Sequence, residues 1–309
     1  MHLSNITFSM KTVIVTGANS GLGLWTSKHL LDRNYRVIMA CRNTVKAAAD
    51  IERFGLLDKR QAHEIRPLDL ADFESIRHFV NELPANENIY GLVCNAGISY
   101  EGEFRYTKNG YEASFGTNHL GHFLLSNLLL EKYKIERIAI VASELHDPNN
   151  KSPFAKAGFN TVEDLAHPKV DPNSTLNKQC QTFYANSKLC NILFTYELER
   201  RLLKKNLPYP VLVNTMNPGL MLSTNLGRTH KSGEKFSRQL MDGFFRLIGL
   251  GDTPEHSAMV VADLIDKTSV SGKYFNKGKV VNSSEESYNT QKALALWHYS
   301  EDAVGRKFL

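Results

Sequence analysis

The chain has 309 residues, a net charge of +5, and 42% hydrophobic against 22% charged residues. That length and apolar fraction allow a large buried core, and the mild, scattered positive charge fits a solvated surface better than a nucleic-acid face. Four cysteines, Cys41, Cys94, Cys180 and Cys190, show neither C-x-x-C nor paired Cys/His spacing, so no metal centre and a reducing, cytoplasmic setting are expected.

Residues Met1 to Met10 carry no basic stretch ahead of an apolar one, so no signal peptide is expected, and Met1 and Met10 are both candidate starts. No apolar run is long enough to span a bilayer. Thr12-Val13-Ile14-Val15 reads as a buried strand. It runs into Thr16-Gly17-Ala18-Asn19-Ser20-Gly21-Leu22-Gly23 and then a helical pattern through Leu24, His29 and Leu31. Strand, glycine turn and helix start together suit a dinucleotide: the glycines admit a pyrophosphate and the helix N-terminus offers amide donors. Gly17, Asn19, Ser20, Gly21, Leu22 and Gly23 are the candidate contacts.

The next strand, Arg36 to Ala40, ends in Cys41-Arg42-Asn43. An NAD site usually places a carboxylate here for the ribose hydroxyls. Arg42 stands instead, a guanidinium suited to a 2′-phosphate, which favours NADP(H); the plainer reading is a surface arginine beside the following helix. A helix from Ala47 to Leu57 and a strand from Ala62 to Leu68 lead to Asp69-Leu70, where Asp69 either accepts from an adenine amine or ends the strand ahead of a helix capped at Asp72. A helix from Phe73 to Leu83 precedes the strand Tyr90 to Cys94, which ends in the small residues Asn95-Ala96-Gly97.

A long helix is expected over Gly110 to Leu130, with Asn118 at its middle, where an asparagine needs a partner. The strand Arg137 to Ala142 delivers Ser143 at the sheet edge where open α/β folds bind ligands. Residues 144–182, rich in Pro, Asn and Asp, are long for a connection and read as a flap or an irregular segment. Tyr184 and Lys188 then sit four apart on a helix reaching about Lys204, so phenol and ammonium share a face. Bringing a tyrosine from pH ~10 to ~7 takes roughly 4 kcal/mol. One ammonium at ~4 Å, at an effective dielectric of ~20, supplies about that much. A strand from Val211 to Thr215 ends at Asn217-Pro218-Gly219. Residues 220–252 mix apolar and basic side chains and read as a substrate lid, with a membrane-surface contact or ordinary core as alternatives. Thr253-Pro254-Glu255 opens another helix, Gly272 to Phe275 forms a short strand, and Glu285 to Ala303 a closing helix.

In this order, Thr16-Gly17-x-x-x-Gly21-x-Gly23, Asp69, Asn95-Ala96-Gly97, Asn118, Ser143, Tyr184-x-x-x-Lys188 and Pro218-Gly219 resemble the short-chain dehydrogenase/reductase family over nearly the whole chain. Val37 to Arg42, Leu92 to Asn95, Gly116 to Phe123 and Ser187 to Phe194 are similar to its NADP(H)-dependent branch of retinol dehydrogenases, WW-domain-containing oxidoreductases and protochlorophyllide reductases. In the last of these a cysteine follows the Pro-Gly pair, whereas here Leu220 does. The resemblance implies one α/β domain over residues 1–309: a Rossmann fold with a doubly wound parallel sheet of about seven strands and helices on both faces. It implies an oxidoreductase moving hydride between NADP(H) and a carbonyl or alcohol of a hydrophobic small molecule. Tyr184 would be the acid/base, Lys188 would tune it, Ser143 would hold the substrate oxygen, and Asn118 would hold a water beside Lys188. Asp69, Leu70, Asn95, Ala96, Gly97, Pro218 and Gly219 would complete the cofactor contacts, with either Ser223 or Thr224 on the nicotinamide amide. A homodimer through the helices of Asn118 and Tyr184 is compatible with the family. Two other readings stay open: a retinoid- or lipid-type reductase at a membrane surface, and a catalytically silent nucleotide-binding interaction protein.

Overall fold

Thr12–Thr16 forms β1, buried along its whole length, as a strand without polar alternation must be when both faces are covered. The glycine turn follows, then α1 (Gly21–Asp32) and β2 (Arg36–Cys41). The computed structural model describes residues 10–55, 63–150, 154–219 and 252–309. α2 (Thr44–Phe54) starts on the Asn43 side chain, which accepts from Lys46 N, and stops at Gly55 in the left-handed region. β3 (His63–Pro67) and α3 (Phe73–Glu82) come next, the helix capped by Asp72 as its sequence implies. β4 (Ile89–Cys94) is again wholly buried.

The helix expected over Gly110 to Leu130 is shorter at its start and broken in register. It comprises one turn, α4 (Ala113–Phe115), then a π-helical segment (Gly116–Leu120), then α5 (Gly121–Lys132). After β5 (Arg137–Val141) comes a 3-10 turn (Glu144–His146) and a short α6 (Val162–Ala166) closed by a Thr161/Asp164 capping box. The helix of Tyr184 begins well before it: α7 spans Leu176–Lys205, from the Thr175 cap to Asn206 in the left-handed region. Its opening residues Leu176, Asn177 and Lys178 are exposed, so apolar periodicity is silent there.

β6 (Leu212–Asn217), α8 (Pro254–Asp266, capped by Thr253), β7 (Lys273–Asn276) and β8 (Lys279–Val281) complete the sheet. A 3-10 turn (Glu285–Tyr288) and α9 (Thr290–Ala303) close the chain, where one helix was expected. The sheet order is β3-β2-β1-β4-β5-β6-β7-β8, parallel except for the antiparallel β7–β8 hairpin. The eighth strand adds to the seven expected; it is three exposed residues after a Lys277-Gly278 turn with both φ values positive, which leaves no burial signal to read.

One face of the sheet is packed by α3, α5, α7 and α9 over Ile14, Leu92, Phe123, Leu189 and Trp297, the other by α1, α2 and α8 over Val13, Val93 and Val261. The strand order reverses direction between β1 and β4, so their C-terminal ends frame the crevice where such sheets bind ligands. Helices press close around it. A Cβ on Gly121 would meet the Leu70 carbonyl and lie 2.9 Å from Leu70 Cβ. Gly121→Ala is therefore expected to cost about 1–3 kcal/mol in urea denaturation by overpacking; an unchanged midpoint would show that the β3–α3 connection yields freely.

Candidate active site

The turn after β1 takes its shape from glycine. Gly17 and Gly21 have φ of +64° and +51°, a region that L side chains rarely adopt. Gly23 is excluded from having a side chain by contact instead: its Cβ would lie 2.5 Å from both Asn95 Nδ2 and the Gly17 oxygen. Asn95, expected on the adenosine side, thus packs inside the turn, donating to the carbonyls of Thr16 at 2.7 Å and Gly17 at 3.4 Å. Ser20 occupies the N-cap position of α1 without a side-chain cap bond, which leaves the helix-end amides uncapped by their own residue. These features fit a dinucleotide pyrophosphate.

Beyond the turn, Arg42 is exposed and makes no hydrogen bond or ion pair among the described residues. The neighbouring positions are knit together by a carboxylate that sequence reasoning missed. Asp50 accepts from Asn19 (3.3 Å), Lys46 (2.7 Å) and Arg53 (3.0 Å). Burial alone would raise this carboxyl, but the hydrogen bonds from Lys46 and Asn19 and the charges of Lys46 and Arg53 hold it below its ordinary range. Asp69 accepts from Ala71 N and ties off the end of β3, the structural alternative for that residue.

The proton-handling residues converge behind Gly97. A Cβ there would lie 3.5 Å from both Asn118 Oδ1 and Lys188 Nζ. Asn118, wholly buried in the π segment, accepts from Ile98 N (2.8 Å) and donates to the Ile98 carbonyl (3.0 Å) and to Ser187 Oγ (2.9 Å). Lys188 is 2% exposed, and its Nζ donates to the Val141 carbonyl at 3.1 Å. The Lys188 ammonium lies 5.5 Å from the centre of the Tyr184 ring, on the same helix face. Ser143 sits at the exit of β5, its hydroxyl accepting from Leu145 N at 3.3 Å. Asn217 Oδ1 joins the ends of β5 and β6, accepting from Glu144 N and Gly219 N. Pro218 and Gly219 lie at this edge, Gly219 with φ +76° and the Pro218 carbonyl accepting from Ser257 Oγ at 2.6 Å. Ser223, Thr224 and nearly all of the lid expected over 220–252 lie outside the described residues.

The electrostatics differ from the simple Coulomb expectation. Burial pushes the Tyr184 phenol up and the Lys188 ammonium down to about 8. In the protein itself, desolvation therefore outweighs the field of the neighbouring ammonium.

A glycine-turn Rossmann sheet with a Tyr-x-x-x-Lys helix at its switch point defines the class, and comparison with known proteins agrees. A family model described as short chain dehydrogenase matches residues 11–145. Retinol dehydrogenase 14 of Homo sapiens is 37% identical over 320 residues, covering 96% of this chain and 86% of that protein. The chloroplastic protochlorophyllide reductase of Marchantia paleacea is 34% identical, covering 98% and 69%. The crystal structure of an uncharacterised protein from Mycobacterium Paratuberculosis superposes with a TM-score of 0.71 at 28% identity, covering 98% of this chain and 96% of that one. The chain belongs to the short-chain dehydrogenase/reductase family and is an oxidoreductase of that family.

Lys188→Met tests the desolvation balance, because the Val141 carbonyl keeps Asn191 Nδ2 at 3.1 Å. The variant is expected to lose turnover yet gain about 0.5–2 kcal/mol of stability at neutral pH by urea denaturation. The sign follows from proton counting: between about 8 and the ordinary 10.5 the unfolded chain binds more protons, so wild-type stability rises with pH across that window. That rise should be absent in Lys188→Met, and a destabilised variant would contradict the account.

Proposed function

We propose that this chain is an NADP(H)-dependent oxidoreductase acting on a carbonyl or alcohol of a hydrophobic small molecule. The observation that carries this reading is the convergence of Tyr184, Lys188 and Asn118 behind Gly97, one strand-width from the glycine turn. When bound, the nicotinamide supplies a hydride to the carbonyl carbon or receives one from the alcohol. The protein handles the accompanying proton. In the reducing direction Tyr184 Oη gives its proton to the substrate oxygen as charge develops there, and in the oxidising direction it takes that proton back. Lys188, with its proton affinity lowered by burial, stands next to the phenol and restores its charge state. Both amide hydrogens of Asn118 are spent on Ile98 and Ser187, so a water beside Lys188 would be met by an oxygen of Asn118 and not by its N–H. Ser143 Oγ, at the strand exit, is placed to donate to the substrate oxygen.

The preference for the 2′-phosphorylated cofactor rests on Arg42, exposed just beyond β2. Among the described residues, the buried carboxylate nearby, Asp50, is paired with Lys46 and Arg53.

The names of the relatives favour one substrate class: retinol dehydrogenases 12, 13 and 14 act, by name, on a long apolar alcohol. A retinoid-type reductase is the form of the proposal these names support. No helix among the described residues is long and apolar enough to cross a membrane.

NADPH oxidation followed against retinal, aromatic aldehydes and ketones tests the reading, and wild type without turnover on any of them would favour a silent nucleotide binder. Tyr184→Phe should lose at least about 100-fold in turnover, the scale of a general acid, while NADPH binding by fluorescence is unchanged. Near-normal turnover in that variant would remove Tyr184 from the mechanism. Arg42→Asp should move the ratio of NADPH to NADH efficiency toward NADH by about tenfold or more, the scale of one charge-assisted pair; an unmoved ratio would place recognition of the 2′-phosphate elsewhere.

A further inference from the structure

Two buried histidines stand behind the site, and both are wired alike. His122 lies one turn beyond Asn118, its Nδ1 2.9 Å from the Asn118 carbonyl oxygen and its Nε2 2.9 Å from Thr16 Oγ1. His146 lies three residues beyond Ser143, its Nδ1 2.6 Å from the Ser143 carbonyl oxygen and its Nε2 3.0 Å from Ser284 N. A carbonyl only accepts, so Nδ1 carries the hydrogen in both rings. A backbone N–H only donates, so His146 Nε2 is bare.

For His122 the same result follows from counting at Thr16. Its hydroxyl oxygen receives the backbone N–H of Asn95 and of Ala96, each at 2.9 Å, which fills both lone pairs. One proton remains for it to give. The Val93 carbonyl is the longer recipient, at 3.2 Å against 2.9 Å to His122 Nε2, and it shares the Asn95 N–H with Thr16. His122 Nε2 therefore takes the Thr16 proton. A charged imidazolium would aim a second N–H at an oxygen with no lone pair left. Burial agrees, pushing His122 down to about 4 and lowering His146.

We infer that His122 and His146 are positioning residues, neutral Nδ1–H tautomers that grip the backbone carbonyls of Asn118 and Ser143. Each ties one residue of the site to a distant part of the chain. His122 ties the π segment to the glycine turn through Thr16. His146 ties the exit of β5 to the turn at Glu285–Tyr288 through Ser284 N. One gripped carbonyl lies inside a π segment; the other lies past a strand end, where it also accepts from His146 N at 3.3 Å. Without the grip those peptide planes could rotate and displace the side chains that face the reaction.

The inference rests on the site roles proposed above, so its test needs readouts both with and without turnover. Asparagine places an amide N–H where Nδ1 lies, and glutamine places its amide where Nε2 lies. His→Asn thus keeps the carbonyl grip, whereas His→Gln keeps only the far contact. In hydrogen exchange on the full chain, His122→Gln should raise exchange over 116–122, and His146→Gln over 143–147, by about tenfold or more, with the Asn variants within about threefold of wild type. With NADPH and retinal, the Gln variants should lose about tenfold or more in kcat at unchanged KM for NADPH, and the Asn variants should recover most of it. Gln and Asn variants that behave alike would overturn the inference. In 15N-histidine-labelled wild type at neutral pH, both rings should show the Nδ1–H signature; an Nε2–H or doubly protonated signature would also overturn it, even if a glutamine variant fails to fold. Wild type that binds no NADPH would sink the functional proposal, while exchange and spectra would still decide the wiring.

Discussion

Everything at the site hangs on the join between the ends of β1 and β4. These strands are neighbours only because the sheet doubles back between them, and at their C-terminal ends the hydroxyl of Thr16 receives two successive amides of the other strand. Asn95 closes the join from the opposite side by filling the space that Gly17 and Gly23 leave. The cofactor turn and Gly97 are thereby held about one strand spacing apart, roughly 4.8 Å. Because a Cβ on Gly97 would lie 3.5 Å from both Asn118 Oδ1 and Lys188 Nζ, the distance from the glycine turn to these two side chains follows from that join.

Much of this could be read in the residues. Buried strands announce themselves by unbroken apolar runs, as in Thr12 to Val15, and glycine spacing with Tyr184 and Lys188 carried the chemistry. What escaped notice has a common cause: features without a pattern of their own. The opening residues of α7, Leu176 to Lys178, are exposed, and β8 is too short and too exposed to show alternation. Asp50 looks like any helix-surface carboxylate until the fold brings Asn19 against it. Thr16 belongs to the glycine motif and His122 and His146 lie about one turn from motif residues, yet only tertiary contact shows what they hold. Of these, the His122 spacing of four from Asn118 was a usable signal.

The acid–base pair shows why helical spacing alone misjudges proton affinity. The sequence argument balanced one ammonium against one phenol in a medium of intermediate polarity. In the folded chain Lys188 is buried and Tyr184 half-buried, and desolvation raises the phenol and lowers the ammonium. A lysine brought down to about 8 sits closer to exchanging its proton near neutrality than one at the ordinary 10.5.

The π-helical segment carries a further consequence. A wide turn accommodates one residue more than an α-helical turn, and each residue along a helix advances the side-chain direction by about 100°. Removing a single residue from Gly116–Leu120 would let the strain-free spiral close up and swing either Asn118 or the whole of α5 away from its partners. Within this stretch the arithmetic of chain length is thus as binding as chemical identity. An insertion or deletion in this stretch would therefore unseat Asn118.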